Sequence, residues 1–352
     1  MTESTPQSEA ASGDEIFIPI RYVQRTDVGR VRSENQDFAI STSPIESLRH
    51  GCLLVVADGM GGHRGGATAS RIAGNTVREE FLAHDRGDPG QALLHALTQA
   101  NERIHCESTA NPELQGMGTT CSVLYVRGNR GWIAHVGDSR VYRVREGEIE
   151  SMTQDHSLVA TMVREGLITE EEAEVHPRRN VLQRSMGVAD EIEVDVYEPF
   201  EILPGDTFIL CSDGLHGLVK NGELRQIAVE LEPEQAVDRF VELALERGAH
   251  DNVTVIVAKA GDPADKPELP PEPDHEAPSS LDRTLSIPDP IHSAETLEID
   301  TSSLDIEERR GAPPALKWLA IALLAAAAIG ALILIVGENA ILGYFQRQLG
   351  VR

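Results

Sequence analysis

Basic residues and cysteines are scarce in this sequence of 352 residues. It holds 31 Lys and Arg against 57 Asp and Glu, a formal net charge of −26. Because so acidic a chain has no basic surface with which to neutralise phosphates, we expect no nucleic-acid partner. A GxSxG nucleophile elbow and a phosphate-binding P-loop are also missing, which argues against the enzyme classes that those motifs identify.

The four cysteines form no Cys-x-x-Cys pair, which argues against a zinc site or a disulfide framework. Cys52, Cys121 and Cys211 lie in apolar runs, whereas Cys106 does not. We expect buried free thiols in a reducing compartment. Residues 1–15 contain no basic segment followed by an apolar one, so they predict a disordered tail rather than a secretory signal.

Composition divides the rest of the chain into a globular region and a C-terminal region. Residues 16–260 mix strand-like and helix-like patterns. Residues 261–314 are rich in Pro, Ser, Asp and Glu and have no aromatic residue, which predicts a disordered linker because too little apolar surface can be buried to offset the ordering entropy. Residues 315–337 predict a transmembrane helix, and residues 338–352 a short tail that is extracytoplasmic or lies at the membrane interface.

The predicted span contains an uncharged run of nineteen residues at 318–336, WLAIALLAAAAIGALILIV. As a helix it would be about 28 Å long, close to the thickness of the bilayer hydrocarbon. A buried core helix is the alternative, but the predicted linker and the short tail give it little to pack against. Basic residues are slightly more frequent before the span than after it, which predicts a single-pass protein of the cell inner membrane with a cytoplasmic globular region. They are Arg309, Arg310 and Lys317 before it, and Arg347 and Arg352 after it.

Short apolar runs in the globular region predict strands, and apolar residues at helical spacing predict helices. The predicted strands are 51–57, 119–126, 131–136, 140–144, 206–211 and 253–258. The predicted helices are 66–82, 89–105 and 233–247. Strands, then two helices, then mostly strands imply a layered α+β domain.

Five aspartates lie at the ends of strand-like runs, beside Gly, Ser or Asn. They are Asp37, Asp58, Asp138, Asp213 and Asp251. Each one alone fits ordinary turn chemistry. Together they can converge on one edge of the domain, where they would repel each other and have raised pKa values unless a cation neutralised them. The pattern therefore predicts a divalent-metal site.

The ligand types indicate which metal. All candidates are oxygen donors, and no His-x-x-x-His spacing is present, which favours Mg²⁺ or Mn²⁺ over Zn²⁺. Two such ions bridged by one aspartate can lower the pKa of a shared water and hold the oxygens of an in-line displacement at phosphorus.

Eight segments together resemble the PPM family, the metal-dependent serine/threonine protein phosphatases of the 2C type, in its bacterial branch. They follow the family's order and spacing between about residues 21 and 259. The segments are 26–37 (TDVGRVRSENQD), 57–63 (ADGMGGH), 116–120 (GMGTT), 135–140 (HVGDSR), 153–157 (TQDHS), 176–187 (HPRRNVLQRSMG), 211–215 (CSDGL) and 250–254 (HDNVT). The resemblance implies a metal-dependent phosphatase domain over residues 16–260, built as a two-sheet antiparallel β-sandwich flanked by helix pairs, a four-layer α-β-β-α fold.

The resemblance also implies metal ligands. Asp58 would bridge two Mn²⁺ or Mg²⁺ ions, the Gly59 carbonyl would bind the second ion, and Asp213 and Asp251 would complete the first. Asp138, helped by Asp213, would bind a third, weaker ion.

Two further residues match the family's catalytic positions. Asp37 would hold metal-bound water. Arg32 matches the arginine that grips the substrate phosphate, in agreement with the bidentate geometry of a guanidinium.

Two positions depart from the family pattern. Gln36 stands where some members have a metal-binding glutamate, so the second ion would depend more on water. Met60 stands where eukaryotic members have a histidine that is a candidate general acid. The nearby His63 is expected to act as an acid or as a partner of metal-bound water, and a structural cap of the following helix is the alternative.

Residues 156–187 contain a charged insert that resembles the flap beside the family's active site, which affects substrate choice. A surface helical hairpin is the alternative. Thr169 and Glu172 form a capping-box pattern within it. In the linker, Thr284 and Thr296 have similar acidic and apolar surroundings, so they could be phosphorylated and read by a phosphopeptide-binding module. A plain solvated linker is the alternative there.

The sequence thus predicts an enzyme that hydrolyses phosphoserine and phosphothreonine in proteins, with a metal-bridging water as nucleophile. Its expected partners are phosphorylated proteins and, by resemblance, a bacterial Ser/Thr kinase that it opposes at the membrane. Two alternatives stay open: a catalytically inactive, membrane-tethered scaffold of the same fold, and a two-metal phosphodiesterase for small molecules.

Overall fold

The structure, a computed structural model, describes residues 17–62, 64–84 and 87–265. The strands of this part are β1 (Ile20–Asp27), β2 (Asp37–Ser41), β3 (Cys52–Met60), β4 (Gly118–Thr119), β5 (Cys121–Arg127), β6 (Arg130–Val136), β7 (Arg140–Arg145), β8 (Glu148–Ser151), β9 (Asp195–Val196), β10 (Phe200–Glu201), β11 (Thr207–Cys211) and β12 (Val253–Ala260). The α-helices are α1 (Pro44–His50), α2 (Gly65–Ala83), α3 (Pro89–Ala110), α4 (Leu158–Arg164), α5 (Glu170–Glu174), α6 (Asp213–His216), α7 (Asn221–Glu230) and α8 (Pro233–Glu246).

The strands form two sheets whose pairs are all antiparallel. The first sheet has the order β1-β12-β11-β7-β8, and the second has the order β10-β6-β5-β3-β2, with β4 beside β3 and β9 beside β6. The predicted α+β class with antiparallel sheets is therefore confirmed.

The continuously apolar runs are strands that are buried on both faces. In β3, Leu53 and Val55 pack with α2 and α3, whereas Leu54 and Val56 point into the core between the two sheets. On the other side, β12 sends alternate residues into that same central core and into a third core that it shares with α7 and α8. Because side chains of a strand alternate between its faces, three apolar cores separate four layers in the order α-β-β-α.

Local sequence signals set several helix ends. The Asp88 side chain accepts a hydrogen bond from the Gln91 N–H, and Pro89 occupies the first turn of α3. The capping box predicted in the insert is confirmed, because Thr169 and Glu172 exchange side-chain to backbone hydrogen bonds of 3.2 and 2.9 Å at the start of α5.

Several details differ from the predictions. Asp58 does not end its strand, because β3 continues to Met60 by pairing with β4. The expectation of buried thiols is wrong for Cys106, which is exposed on α3, whereas the other three cysteines are buried, and all four are free. Within the described residues, no helix has both the length and the apolar character needed to cross a bilayer. The predicted span, linker threonines, N-terminal tail and C-terminal tail all lie outside those residues.

Candidate metal centre

The fold brings the five predicted aspartates to the same end of both sheets. Asp37 and Asp58 face each other in the register of β2 and β3. One residue separates Asp213, which begins α6, from the end of β11, and one residue separates Asp251 from the start of β12, the neighbour of β11. Asp138 lies in the turn between β6 and β7. Their spacing in the chain is wide, and the antiparallel pairing makes them neighbours.

A hydrogen bond joins the two sheets at this edge. Ser212, which directly follows β11 of the first sheet, donates its hydroxyl to Asp37 Oδ2 of the second sheet at 2.8 Å. The same hydroxyl oxygen accepts a hydrogen bond from the Thr254 N–H at 3.0 Å. Ser212 therefore fixes the position of the Asp37 carboxylate relative to β12.

Burial and mutual repulsion raise the pKa values of four of these aspartates. Burial, with smaller contributions from the charges of Asp213 and Asp251, raises the pKa of Asp37 to about 7. The pKa of Asp58 lies well above its usual range, because the carboxyl is desolvated and the other four aspartates surround it. Burial also raises the pKa values of Asp138 and Asp213, each with a neighbouring aspartate as the next cause. The cluster is unfavourable as a group of carboxylates alone.

The donor set fits divalent cations that prefer oxygen. Asp213 Oδ1 is buried and has no hydrogen-bond partner among the described residues, so it is an orphaned acceptor inside a carboxylate cluster. No three of the five aspartates in the described structure bring their oxygens within 4.8 Å of one another.

The backbone around Asp58 is held by the GMGTT segment. Thr120 Oγ1 accepts from the Asp58 N–H at 2.9 Å, and the Asp58 carbonyl accepts from the Thr120 N–H and the Thr119 hydroxyl, each at 2.9 Å. At Gly59 a Cβ would lie only 2.1 Å from the Gly66 carbonyl oxygen, so a side chain cannot be accommodated there. The sequence predicted this motif by resemblance alone, and the structure shows that it clamps the strand carrying Asp58.

Gln36 has a structural contact. Its Nε2 lies 3.3 and 3.4 Å from the carbonyl oxygens of Gly61 and Gly62, to which it donates, so it ties β2 to the loop that precedes α2. His63, predicted as an acid or water partner, lies outside the described residues, and its role stays a prediction.

Arg32 lies at the edge of the aspartate cluster. Its guanidinium is half exposed and donates to Asp251 Oδ2 at 2.8 Å, a bond that raises the pKa of the arginine. Asn252 holds the loop that carries Arg32 through three hydrogen bonds of 2.8 to 3.0 Å. Its Nδ2 donates to the carbonyls of Val28 and Glu34, and its Oδ1 accepts from the Gln36 N–H.

Sequence reasoning gave no role to several residues that position the cluster. Ser212 and Asn252 stand directly beside Asp213 and Asp251, and adjacency to a candidate ligand is the signal that could have singled them out. A third is His216, whose Nε2 donates to the Asp138 carbonyl at 3.0 Å. Burial lowers the pKa of His216 to about 3, so this ring is neutral.

The predicted flap contains two short helices, α4 and α5, and is anchored at both sides. Met186 forms an isolated antiparallel bridge with Thr119, which itself bonds to the Asp58 carbonyl. Lys220 pairs with Glu174 at 2.7 Å. The end of this segment is therefore two contacts away from a predicted metal ligand.

A profile of a known family, described as Protein phosphatase 2C, matches residues 30–255. The serine/threonine protein phosphatase PstP of Mycobacterium tuberculosis is 38% identical over 252 residues, which cover 70% of this chain and 46% of the relative. The chain thus spans about half the length of that relative. The serine/threonine phosphatase stp of Listeria monocytogenes is 36% identical over 247 residues, 67% of this chain and 94% of the relative.

Solved structures have the same fold. The Mycobacterium tuberculosis serine/threonine phosphatase PstP/Ppp matches with a TM-score of 0.61 and 37% identity, covering 70% of this chain and all of that one (100%). The catalytic domain of PstP in complex with 2 manganese ions matches with a TM-score of 0.61 and 35% identity, covering 70% of this chain and 99% of that one.

Proposed function

This chain belongs to the protein phosphatase 2C family of metal-dependent phosphatases, and on that premise we propose that it hydrolyses phosphoserine and phosphothreonine in proteins with two Mn²⁺ or Mg²⁺ ions. One observation carries the proposal. Five aspartates meet beside a half-exposed arginine, and one of them, Asp213, has both a raised pKa and an orphaned buried oxygen.

The ligands would be divided between two ions. Asp58 would hold both ions, the Gly59 carbonyl would contribute to the second, Asp213 and Asp251 would complete the first, and Asp138 would hold a weaker third ion. When bound, such ions lower the pKa of water and offset the charge of the phosphoryl group.

The chain's own residues would position the reactants. Arg32 has five N–H donors, and its hydrogen bond to Asp251 uses one of them, so the guanidinium can bind a phosphate while it stays anchored at the cluster. Asp37 keeps one carboxylate oxygen on the Ser212 hydroxyl, which orients the other oxygen to hold a water molecule. The flap, bridged to Thr119 through Met186 and paired with Lys220 before α7 through Glu174, would restrict which phosphopeptides reach Arg32.

The test is hydrolysis of a phosphothreonine peptide by the purified full-length chain. Turnover should require Mn²⁺ or Mg²⁺ and cease in EDTA. The variants Asp58→Asn and Asp213→Asn should lose at least about a hundredfold in kcat/KM while their circular dichroism is unchanged. Asp238→Asn, which alters an exposed aspartate paired with Arg25, is the matched control and should keep full activity. Normal turnover in either cluster variant would contradict the metal assignment.

The same assay separates the alternatives. A catalytically inactive scaffold would show no metal-dependent turnover of peptide or chromogenic phosphate ester in the wild-type chain. A phosphodiesterase would turn over a cyclic nucleotide faster than the phosphopeptide.

We also propose that the enzyme is a single-pass inner-membrane protein that opposes a bacterial Ser/Thr kinase from the cytoplasmic side. The support is the apolar run at 318–336 and the basic residues that flank it. The chain should stay in the membrane fraction after alkaline carbonate extraction, and a chain ending at residue 314 should leave it. A full-length chain in the soluble fraction would contradict the proposal.

The linker is the proposed contact for a phosphopeptide-binding module, through phosphorylated Thr284 or Thr296. Mass spectrometry of the chain from cells that contain the kinase should find phosphate on one of them. A double Thr→Ala variant should lose retention by an immobilised phosphopeptide-binding domain, and equal retention of the variant would contradict this role.

A further inference from the structure

A second cluster of metal-ligating side chains lies at the corner between α2 and α3. Glu80 is in the last turn of α2, His84 directly follows that helix, and His95 is in the second turn of α3. One ligand atom from each residue lies within 4.8 Å of the other two, and the described part of the chain has no further trio of this kind.

This corner is remote from the aspartate cluster. The Gly66 carbonyl lies beside Gly59, and Glu80 is fourteen residues further along the same helix. At 1.5 Å per residue, the two ends are about 21 Å apart. The three residues therefore cannot share an ion with the aspartates.

Both imidazoles surround one carboxylate oxygen. His84 Nδ1 and His95 Nε2 each lie 4.0 Å from Glu80 Oε2. The two rings pack edge to face with centroids 4.8 Å apart. In a tetrahedral site with bonds of about 2.0–2.1 Å, the ligand atoms stand about 3.4 Å apart. The distance from His95 Nε2 to Glu80 Oε2 is thus roughly half an ångström wider than a bound ion needs. The His84 nitrogen at that distance, Nδ1, also contacts the Glu80 carbonyl, so the His84 ring has to turn to present Nε2 to the ion.

A further contact orients two of the ligands. His84 Nδ1 lies 2.8 Å from the Glu80 carbonyl oxygen, and because a carbonyl can only accept, Nδ1 carries the proton and Nε2 keeps the lone pair. Metal-binding histidines are commonly oriented by such a bond. Glu80 Oε1 accepts from the Arg103 guanidinium at 2.7 Å, which leaves Oε2 facing the histidines.

The surroundings allow an ion to enter. The His84 and His95 side chains are about half exposed, 52% and 46%, so each can shift by the distance required, whereas Glu80 at 19% is held in place. The positive charge of Arg103 opposes a cation, but the same guanidinium also contacts Glu79 and the Thr76 hydroxyl, which partly offsets its charge.

From these contacts we propose that Glu80, His84 and His95 form a zinc site that is independent of the aspartate cluster. Two imidazoles and one carboxylate suit Zn²⁺, whereas Mg²⁺ and Mn²⁺ prefer oxygen ligands. The fourth position of a tetrahedral ion is open to water. A bound ion would cross-link the end of α2 to the start of α3.

The test uses the untagged full-length chain titrated calorimetrically with Zn²⁺ in a large excess of Mg²⁺, which occupies the aspartate cluster. His84→Ala and His95→Ala should each bind one equivalent fewer than the wild type, or bind it at least about tenfold more weakly. His105→Ala, which changes a histidine further along α3, is the matched control and should bind as the wild type does.

Two further readouts keep the sites separate. The one equivalent of Zn²⁺ that depends on His84 and His95 should still bind to Asp213→Asn, because this site does not use the aspartates. Co²⁺ in place of Zn²⁺ should give the visible absorption of a tetrahedral ion, and this band should vanish in His84→Ala. Identical Zn²⁺ stoichiometry and affinity in the wild type and both histidine variants would overturn the proposal, as would loss of the equivalent in Asp213→Asn alone.

Discussion

Replacing Asp37 with asparagine should stabilise the metal-free protein at neutral and alkaline pH. Asp37 is 7% exposed, and its pKa rises from 3.8 to about 7 in the folded chain. The native state therefore binds a proton that the unfolded chain has already lost between these two pH values. Because stability falls with pH wherever the native state binds more protons, ionised Asp37 destabilises the metal-free fold progressively from about pH 4 to about pH 7.

The size of the effect follows from the pKa values. At 1.36 kcal/mol for each pKa unit, the ionised carboxylate costs at most about 4 kcal/mol above pH 7. The amide introduced by Asp37→Asn cannot ionise and keeps an oxygen that accepts the Ser212 hydroxyl, so the substitution removes charge and preserves the hydrogen bond. We expect a gain of about 1–3 kcal/mol at pH 8, since water entry and relaxation reduce the full penalty, and no gain below pH 4.

Urea unfolding in EDTA at pH 4, 6 and 8 measures this gain. Asp238→Asn is the control: its exposed carboxylate pairs with Arg25 at 2.7 Å in solvent, so its loss should change the stability little and should not stabilise the chain. Adding Mg²⁺ should raise the stability of the wild type more than that of Asp37→Asn. Equal stability of wild type and Asp37→Asn in EDTA at pH 8 would show that burial and the neighbouring aspartates do not penalise the ionised carboxylate.

Three other perturbations test the scaffold around the site. Gly214→Ala places a Cβ 1.9 Å from the Asn252 carbonyl oxygen and should displace Asp213. Calorimetry should then show Mn²⁺ binding weakened at least about tenfold, and an unchanged Mn²⁺ affinity would contradict this packing. Asn252→Ala frees the loop that carries Arg32, so steady-state assays should show a rise in KM that exceeds the fall in kcat, and an effect on kcat alone would argue against this role. Arg140→Leu removes the bidentate partner of Asp155 (2.7 and 2.8 Å) and should lower the urea-derived stability by about 3–5 kcal/mol at pH 7. Burial alone would raise the pKa of Asp155, but the hydrogen bonds and charge of Arg140 outweigh it and lower this pKa. The stability lost in Arg140→Leu should therefore shrink as the pH falls below the usual aspartate pKa, because Asp155 becomes protonated.

Strands with two buried faces are the easiest to predict from the sequence. In β3 and β12 nearly every side chain enters a core, so the run is apolar in the sequence itself. β1 was not predicted, because none of its residues IRYVQRTD is buried, and only pairing with β12 makes this segment a strand. Asp58 was placed at a strand end for a similar reason: the pairing of Gly59 and Met60 with β4 leaves no apolar signal.

The site could be predicted in its residue types but not in its supporting contacts. Aspartates next to apolar runs are visible in the sequence, and the family resemblance assigns them roles. The hydrogen bonds of Ser212 and Asn252 join segments about 175 to 220 residues apart, and the Glu80, His84 and His95 cluster depends on how α2 and α3 meet. Spacing along the chain indicates that Glu80 and His84 are neighbours, four residues apart at the end of α2, but not that His95 or the partners of Ser212 and Asn252 join them.

The amino-acid sequence alone determined which segments are buried, which carboxylates stand beside them, and that these oxygens suit Mg²⁺ or Mn²⁺, since side-chain chemistry and periodicity are local properties. The tertiary structure alone decided that the five carboxylates share one edge, where burial and the charges of the other four raise the pKa of Asp58. Electrostatic coupling depends on distances through space, and antiparallel pairing and layer packing set those distances.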